Sequence, residues 1–313
     1  MDYELIKAKS AIIAAIIAAI TSIITLIISS AIKHFTDKNF HGFKLQIEYR
    51  YDQQKKIKEQ LSGNKMQFLN LSESLCHRLK HFNENVNEGW MDVKGEYTNS
   101  KNAYFVSTVY RISAFFAWIK KIEKDMIYLD VTLATKEDLY FVKYLKLLQL
   151  VFCDHSLFDG YKYDKNYARD HFFRNNFEKM VESLIIDDKI CDFTYYEENL
   201  IDLSINLNGL CLFLDGINPY ENRYRWDVLQ LFQLTLIAFL NSYGYDFQYT
   251  NKREVIQFIS HNRTGLFYQN YLNTLNKMKM NKQKELRKVI NIAKRYKGNS
   301  DNNILSFEEA VSE

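Results

Sequence analysis

The sequence predicts a mainly α fold with a single N-terminal transmembrane helix, followed by an amphipathic stalk and a helical soluble domain. Three observations predict it. One proline and ten glycines in 313 residues are few for strand-rich folds, which use both at turns. Aromatic residues make up 15% and apolar residues 47%, enough to fill a substantial core. The run AIIAAIIAAITSIITLIISSAI, residues 11–32, contains no charge.

At about 1.5 Å per residue that run makes a rod of roughly 33 Å, which matches a hydrocarbon core of about 30 Å. Ser29-Ser30-Ala31 offers a cleavage site for the alternative, a signal peptide. The apolar stretch is longer than a usual signal core, however, and Asp2 and Glu4 dilute the charge of Lys7 and Lys9. Lys33, Lys38, Lys44 and Arg50 follow the span and outweigh Lys7 and Lys9 before it, so the body is expected in the cytoplasm and the span in the cytoplasmic (inner) membrane. Cys76, Cys153, Cys191 and Cys211 show no paired spacing and read as buried thiols of a reducing compartment.

Within the span, Ala11, Ala15, Ala18, Ser22, Thr25 and Ser29 recur at alternating steps of four and three, which places them on one stripe. Small and hydroxylated residues let helix backbones approach closely, so a homo-oligomer in the lipid bilayer is expected.

The domain reading follows the chain. Residues 1–10 form a short flank and 11–32 the transmembrane helix; 33–100 are an amphipathic helical stalk and linker, interrupted at Ser62-Gly63-Asn64 and turning polar from Asn83. Residues 101–262 are the helical core domain. Phe105, Val109, Ile112, Phe116 and Ile119 line one face of its first helix, and Thr135 with Asp138 marks the start of a second that runs to Cys153. Residues 156–196 read as mixed, with ICDFTYY a short strand or helix, and a further helix covers Glu198–Leu214. WDVLQLFQLTLIAFL, residues 226–240, is too short and too interrupted by Asp227, Gln230 and Gln233 to be a second span, and is expected as a central buried helix. Asn251 and Glu254 suggest a cap for a helix through His261. Residues 263–297 form a basic C-terminal helix, and 298–313 a disordered acidic tail.

The segments YRISAFFAWIKKIEKDMIYLD, CDFTYYEENL and GLCLFLDGINPYENRYRW resemble bacterial proteins with one N-terminal membrane helix and a helical cytoplasmic body. The resemblance spans roughly residues 100–226. It implies that architecture and supplies no catalytic residue.

Chemistry is thinly signalled. No glycine-rich phosphate loop and no nucleophile elbow is present. Cys76 with His77 and His81 invites a metal reading, and Asp170-His171 and Glu197-Glu198 an acid-base one, yet each fits a solvated helix face better; in Cys153-Asp154-His155 adjacent residues point in different directions, so activating the thiol would need partners from elsewhere. No metal and no cofactor is expected.

The stronger signal is charge. Lys277, Lys279, Lys282, Lys284, Arg287, Lys288, Lys294, Arg295 and Lys297 face Glu285 alone, although the whole chain carries only +3. Anionic lipid or an acidic protein is the expected partner of such a field, with nucleic acid less favoured because no recognition motif accompanies it. Tyr220, Arg223, Tyr224, Arg225 and Trp226, in the loop holding the sole proline, are residue types that anchor interfaces. The function expected is a membrane-anchored, non-enzymatic, self-associating module acting in recruitment, in signalling or as a stress or phage-defence effector. A membrane-proximal enzyme and a nucleic-acid tether are the alternatives.

Overall fold

The structure is a computed structural model that describes residues 2–259 and 265–300. It is about 75% helical. The helices are α1 (Asp2–Glu84), α2 (Ala103–Asp125), α3 (Lys136–Cys153), α4 (Arg174–Glu182), α5 (Phe193–Glu198), α6 (Leu200–Asn206), α7 (Asn208–Leu214), α8 (Arg225–Tyr243), α9 (Lys252–Phe258), α10 (Gly265–Lys277) and α11 (Lys284–Ser300). A two-residue hairpin, β1 (Ile185–Ile186) and β2 (Lys189–Ile190), is the strand content of the described residues. The chain divides into two compact units, Met1–Lys56 and Ile57–Glu313.

The first unit is the N-terminal part of α1. Among the described residues, this is the one helix long and apolar enough to cross a membrane. Its isoleucines from Ile12 to Ile32 are exposed, and three of its hydroxyls bond to its own backbone. Thr21 Oγ1 donates to the Ile17 carbonyl (2.8 Å), Thr25 Oγ1 to that of Thr21 (2.8 Å) and Ser29 Oγ to that of Leu26 (3.1 Å). Such bonds remove polar donors from an apolar surface without help from water.

The second unit is built around α8. Every residue from Arg225 to Leu240 is buried, so this stretch of the helix has no solvent face and must be covered on all sides. α3 and α11 pack along it. Phe232 at its middle meets Phe115 and Phe116 of α2 at 5.6 and 5.4 Å and Phe152 of α3 at 5.0 Å. The Phe115 and Phe152 pairs are edge-to-face, an arrangement that adds about 0.5–1.5 kcal/mol each beyond area burial.

Several expected elements come out differently. Residues 57–84 do not stand apart as a stalk: Ile57, Leu61, Phe68, Leu75, Leu79 and Phe82 belong to the core cluster. No break occurs at Ser62-Gly63-Asn64. There Asn64 Nδ2 donates to the Gln60 carbonyl (3.0 Å) and to Asp125 of α2 (3.3 Å), which holds the helical turn through the glycine. ICDFTYY, read as a short strand or helix, divides between the two: Ile190 ends β2, and α5 takes the segment from Phe193 onward. The hairpin forms upstream, where Asp187 and Asp188 adopt φ of 49° and 61°, the backbone of a tight two-residue turn. The helix expected over 198–214 is split into α6 and α7 at Leu207. The single long C-terminal helix is split too: α10 stops at Lys277, Lys279 takes φ 55°, Met280 is buried, and α11 restarts at Lys284. α11 runs on to Ser300; residues 301–313 of the expected tail, and residues 260–264 before α10, lie outside the described residues. The caps come out as expected: Thr135 Oγ1 accepts from Asp138 N (3.2 Å), and Asn251 and Glu254 form a reciprocal box (3.1 and 3.0 Å).

A polar trio sits inside this apolar body. Asn83 of α1 donates through Nδ2 to Gln233 Oε1 (2.8 Å) and accepts from Gln230 Nε2 (2.7 Å), and all three residues are buried. Asn83→Ala would strand both glutamine amides in the core. It is expected to lower the unfolding free energy by about 3 kcal/mol, read from urea denaturation, because each orphaned buried amide costs about 1–3 kcal/mol.

Candidate functional site

The basic segment is positioned by packing. In α11, Leu286, Val289, Ile290 and Ala293 are buried, which turns Lys284, Arg287, Lys288 and Arg295 to solvent; Lys294 is half-buried at the margin. Lys277 at the end of α10, and Lys279 and Lys282 in the connecting turn, are also exposed, while the Lys297 side chain lies outside the described residues. The field is therefore one face of a docked helix joined to a basic turn, not a free amphipathic rod. Within it, Lys288 reaches Glu285 (3.8 Å) and hydrogen-bonds the Tyr249 hydroxyl. In α1, Ala15, Ala18, Ser22, Thr25 and Ser29 are exposed along one side; the Ala11 side chain lies outside the described residues.

The aromatic-basic loop serves the body more than its surface. Arg225 is buried; it holds Glu221 through two nitrogens (Nε 2.8 Å, Nη2 2.7 Å) and donates through Nη1 to the carbonyls of Leu212, Phe213 and Asp215, where α7 ends. It thus satisfies the C-terminal carbonyls that a helix leaves open. Trp226 lies in the core, edge-on to Phe82 at 5.5 Å. Arg223 Nε donates to the buried Asp170 (2.7 Å), whose other oxygen accepts from Tyr224 N (3.1 Å). Tyr224 is half-buried, and only Tyr220, at 72% exposure, stands free for a partner.

Beside this loop opens a hollow of about 840 Å³. Arg169, Lys179 and Arg223 bring positive charge to it, and Phe172, Met180 and Phe213 give it an apolar wall. No Asp, Glu or His is among its described lining residues, so it lacks the paired groups that general acid-base chemistry uses. Arg169 and Lys179 lie on separate elements and carry no motif, so nothing in the sequence marks them.

The weaker chemical candidates separate in space. Cys76 is buried, and burial pushes its thiol up to about 12; His77 points outward to Glu73 (3.7 Å), while His81 stacks on Trp90 at 5.3 Å. Burial likewise pushes Cys153 up to about 12, whereas Asp154 accepts from Ser156 N (3.0 Å) and Thr274 Oγ1 (2.9 Å), and His155 is exposed. His171 is buried against the Tyr163 hydroxyl (2.7 Å), and burial followed by the charge of His155 lowers its pKa. Glu197 and Glu198 are exposed. No cluster of three or more metal-binding side chains occurs among the described residues. No family model, curated protein or solved structure matches the chain.

Burial raises the other two thiols as well, Cys211 to about 12 and Cys191 in the same direction. Because the thiolate is the reactive species, the native protein is expected to react negligibly with a thiol-selective disulfide reagent at mildly alkaline pH, and all four thiols to react after denaturation. Rapid labelling of Cys153 in the native state would instead revive it as a nucleophile.

Proposed function

We propose that the protein is anchored in the cytoplasmic membrane by residues 11–32, with its helical body in the cytoplasm. It works there without catalysis, as a self-associating module for recruitment or signalling; one form of this is a stress or phage-defence effector. The observation that carries the reading is the uncharged run itself, a helical segment with its isoleucines outward and the hydroxyls of Thr21, Thr25 and Ser29 bonded to its own backbone. Leaving each isoleucine in water forgoes about 1.5–3 kcal/mol, a penalty a bilayer removes. The excess of basic residues after the span supports the orientation, and the small-residue stripe supports association between copies. The outward face of α11 suits an anionic leaflet, where each basic residue contributes about 1 kcal/mol.

The full chain is expected to resist alkaline carbonate extraction, and its body to be digested by added protease only after the inner membrane is permeabilised. Extraction by carbonate, or digestion in intact spheroplasts, would overturn the anchor or its orientation. Leucine at Ala15, Ala18 and Ser22 together should lower the particle mass of the purified protein; an unchanged mass would remove the stripe as the interface. Glutamine at Lys284, Arg287, Lys288 and Arg295 should weaken binding to anionic nanodiscs. Binding to duplex DNA that falls steeply with salt, and is lost in the same variant, would favour the nucleic-acid tether.

A further inference from the structure

A second hollow, of about 700 Å³, opens between the Ser74–Glu84 stretch of α1 and the first turns of α2. Two arginines line it. The Arg78 guanidinium lies over the Tyr104 ring, its Cζ 4.2 Å from the centroid. Arg111 Nε donates to Ser74 Oγ (3.3 Å) and Nη1 to the Ser107 carbonyl (3.2 Å). Both are half-buried, and neither forms an ion pair among the described residues.

Nearby charges do not neutralise them. Lys80 also lines the hollow and turns to Glu254 at 3.8 Å, and His77 turns to Glu73 at 3.7 Å. Glu84, which is exposed, is the one carboxylate among the described lining residues. Arg111 feels the imbalance: burial first, and then the charge of Arg78, lower its pKa. A guanidinium keeps its proton regardless, so an anion in the hollow would offset the repulsion between the two arginines. The contacts to Tyr104, Ser74 and Ser107 orient both side chains before any ligand arrives, which reduces the ordering cost of binding.

We propose that Arg78 and Arg111 form a binding site for a phosphate monoester group, carried either by a soluble metabolite or by a lipid headgroup. A dianion with three terminal oxygens offers two guanidinium groups more acceptor sites and twice the charge of a single carboxylate. Arg78 and Arg111 would donate to the phosphate oxygens, with Lys80 adding charge at the rim. The site stands independently of the anchoring role, and neither the basic face of α11 nor the stripe of α1 contributes to it.

The test uses the full chain in neutral-lipid nanodiscs near neutral pH, at constant ionic strength set with chloride. Glycerol 3-phosphate is titrated while thermal unfolding and heat of binding are followed. The expected result is a saturable rise in the unfolding midpoint that chloride does not produce. Arg78→Gln and Arg111→Gln should each weaken binding by at least about tenfold, as loss of a charged hydrogen-bonding group does. Arg78→Lys and Arg111→Lys, which keep the charge and lose the fork, should weaken it less than glutamine, and Arg287→Gln on α11 should leave it unchanged. Nanodiscs containing phosphatidic acid separate the two sources: stabilisation by the lipid alone, lost in Arg78→Gln and Arg111→Gln, identifies a headgroup site, and equal stabilisation by glycerol 3-phosphate identifies a soluble ligand. No saturable response to either probe, or equal affinity in the folded arginine variants, overturns the proposal.

Discussion

The body depends on the need to cover one helix from every side. α8 is buried from Arg225 to Leu240, so no orientation of it can face water, and the other helices of the second unit are arranged by that demand. α3 and α11 lie along it, Phe115 and Phe116 of α2 reach its middle, and Thr235 binds the Tyr271 hydroxyl of α10 at 2.7 Å. The same demand splits the basic C-terminal segment. Met280 turns inward at the break, and the apolar side of α11 follows it onto the body, leaving the charges to line the outside.

What was legible in the sequence was whatever a local pattern encodes. The all-α class follows from scarce turn residues, the buried α8 from its length and apolar run, and the starts of α3 and α9 from side chains that reach back three residues. The misreadings arose where tertiary contacts override local preference. Ser62-Gly63-Asn64 looks like a breaker in isolation, yet Asn64 is held from outside its helix by Asp125. The spacing of Ile57, Leu61 and Phe68 is the same for a solvated stalk and for a buried helix, and only the presence of α2 and α8 decides between them. Charge was easier to count than to place. Arg225 and Lys288 look alike in a list of basic residues, but Arg225 closes the end of α7 inside the protein and Lys288 stands on its surface.

The arginines divide by the company they keep. Arg223 and Arg225 each hold a carboxylate, Asp170 and Glu221, and those pairs fasten one loop to the body. Arg78 and Arg111 hold an aromatic ring, a hydroxyl and a carbonyl. Neutral partners orient a guanidinium without cancelling its charge, so the first pair is structural and the second is left with an attractive field. Sequence distance conceals this, since Arg78 and Arg111 come from different helices and meet only when α1 and α2 pack.

The amide trio of Asn83, Gln230 and Gln233 has a consequence for alignment. Apolar ridges on two helices fit one another in several positions along their axes, with little to choose between neighbouring ones. Two glutamine amides that both pair through Asn83 in a dry interior have only one such position. Sliding α1 past α8 by one turn, about 5.4 Å, would leave Asn83 facing hydrocarbon and both glutamines without it. The trio thus acts as a key for register, selecting one of many oily fits between the two helices.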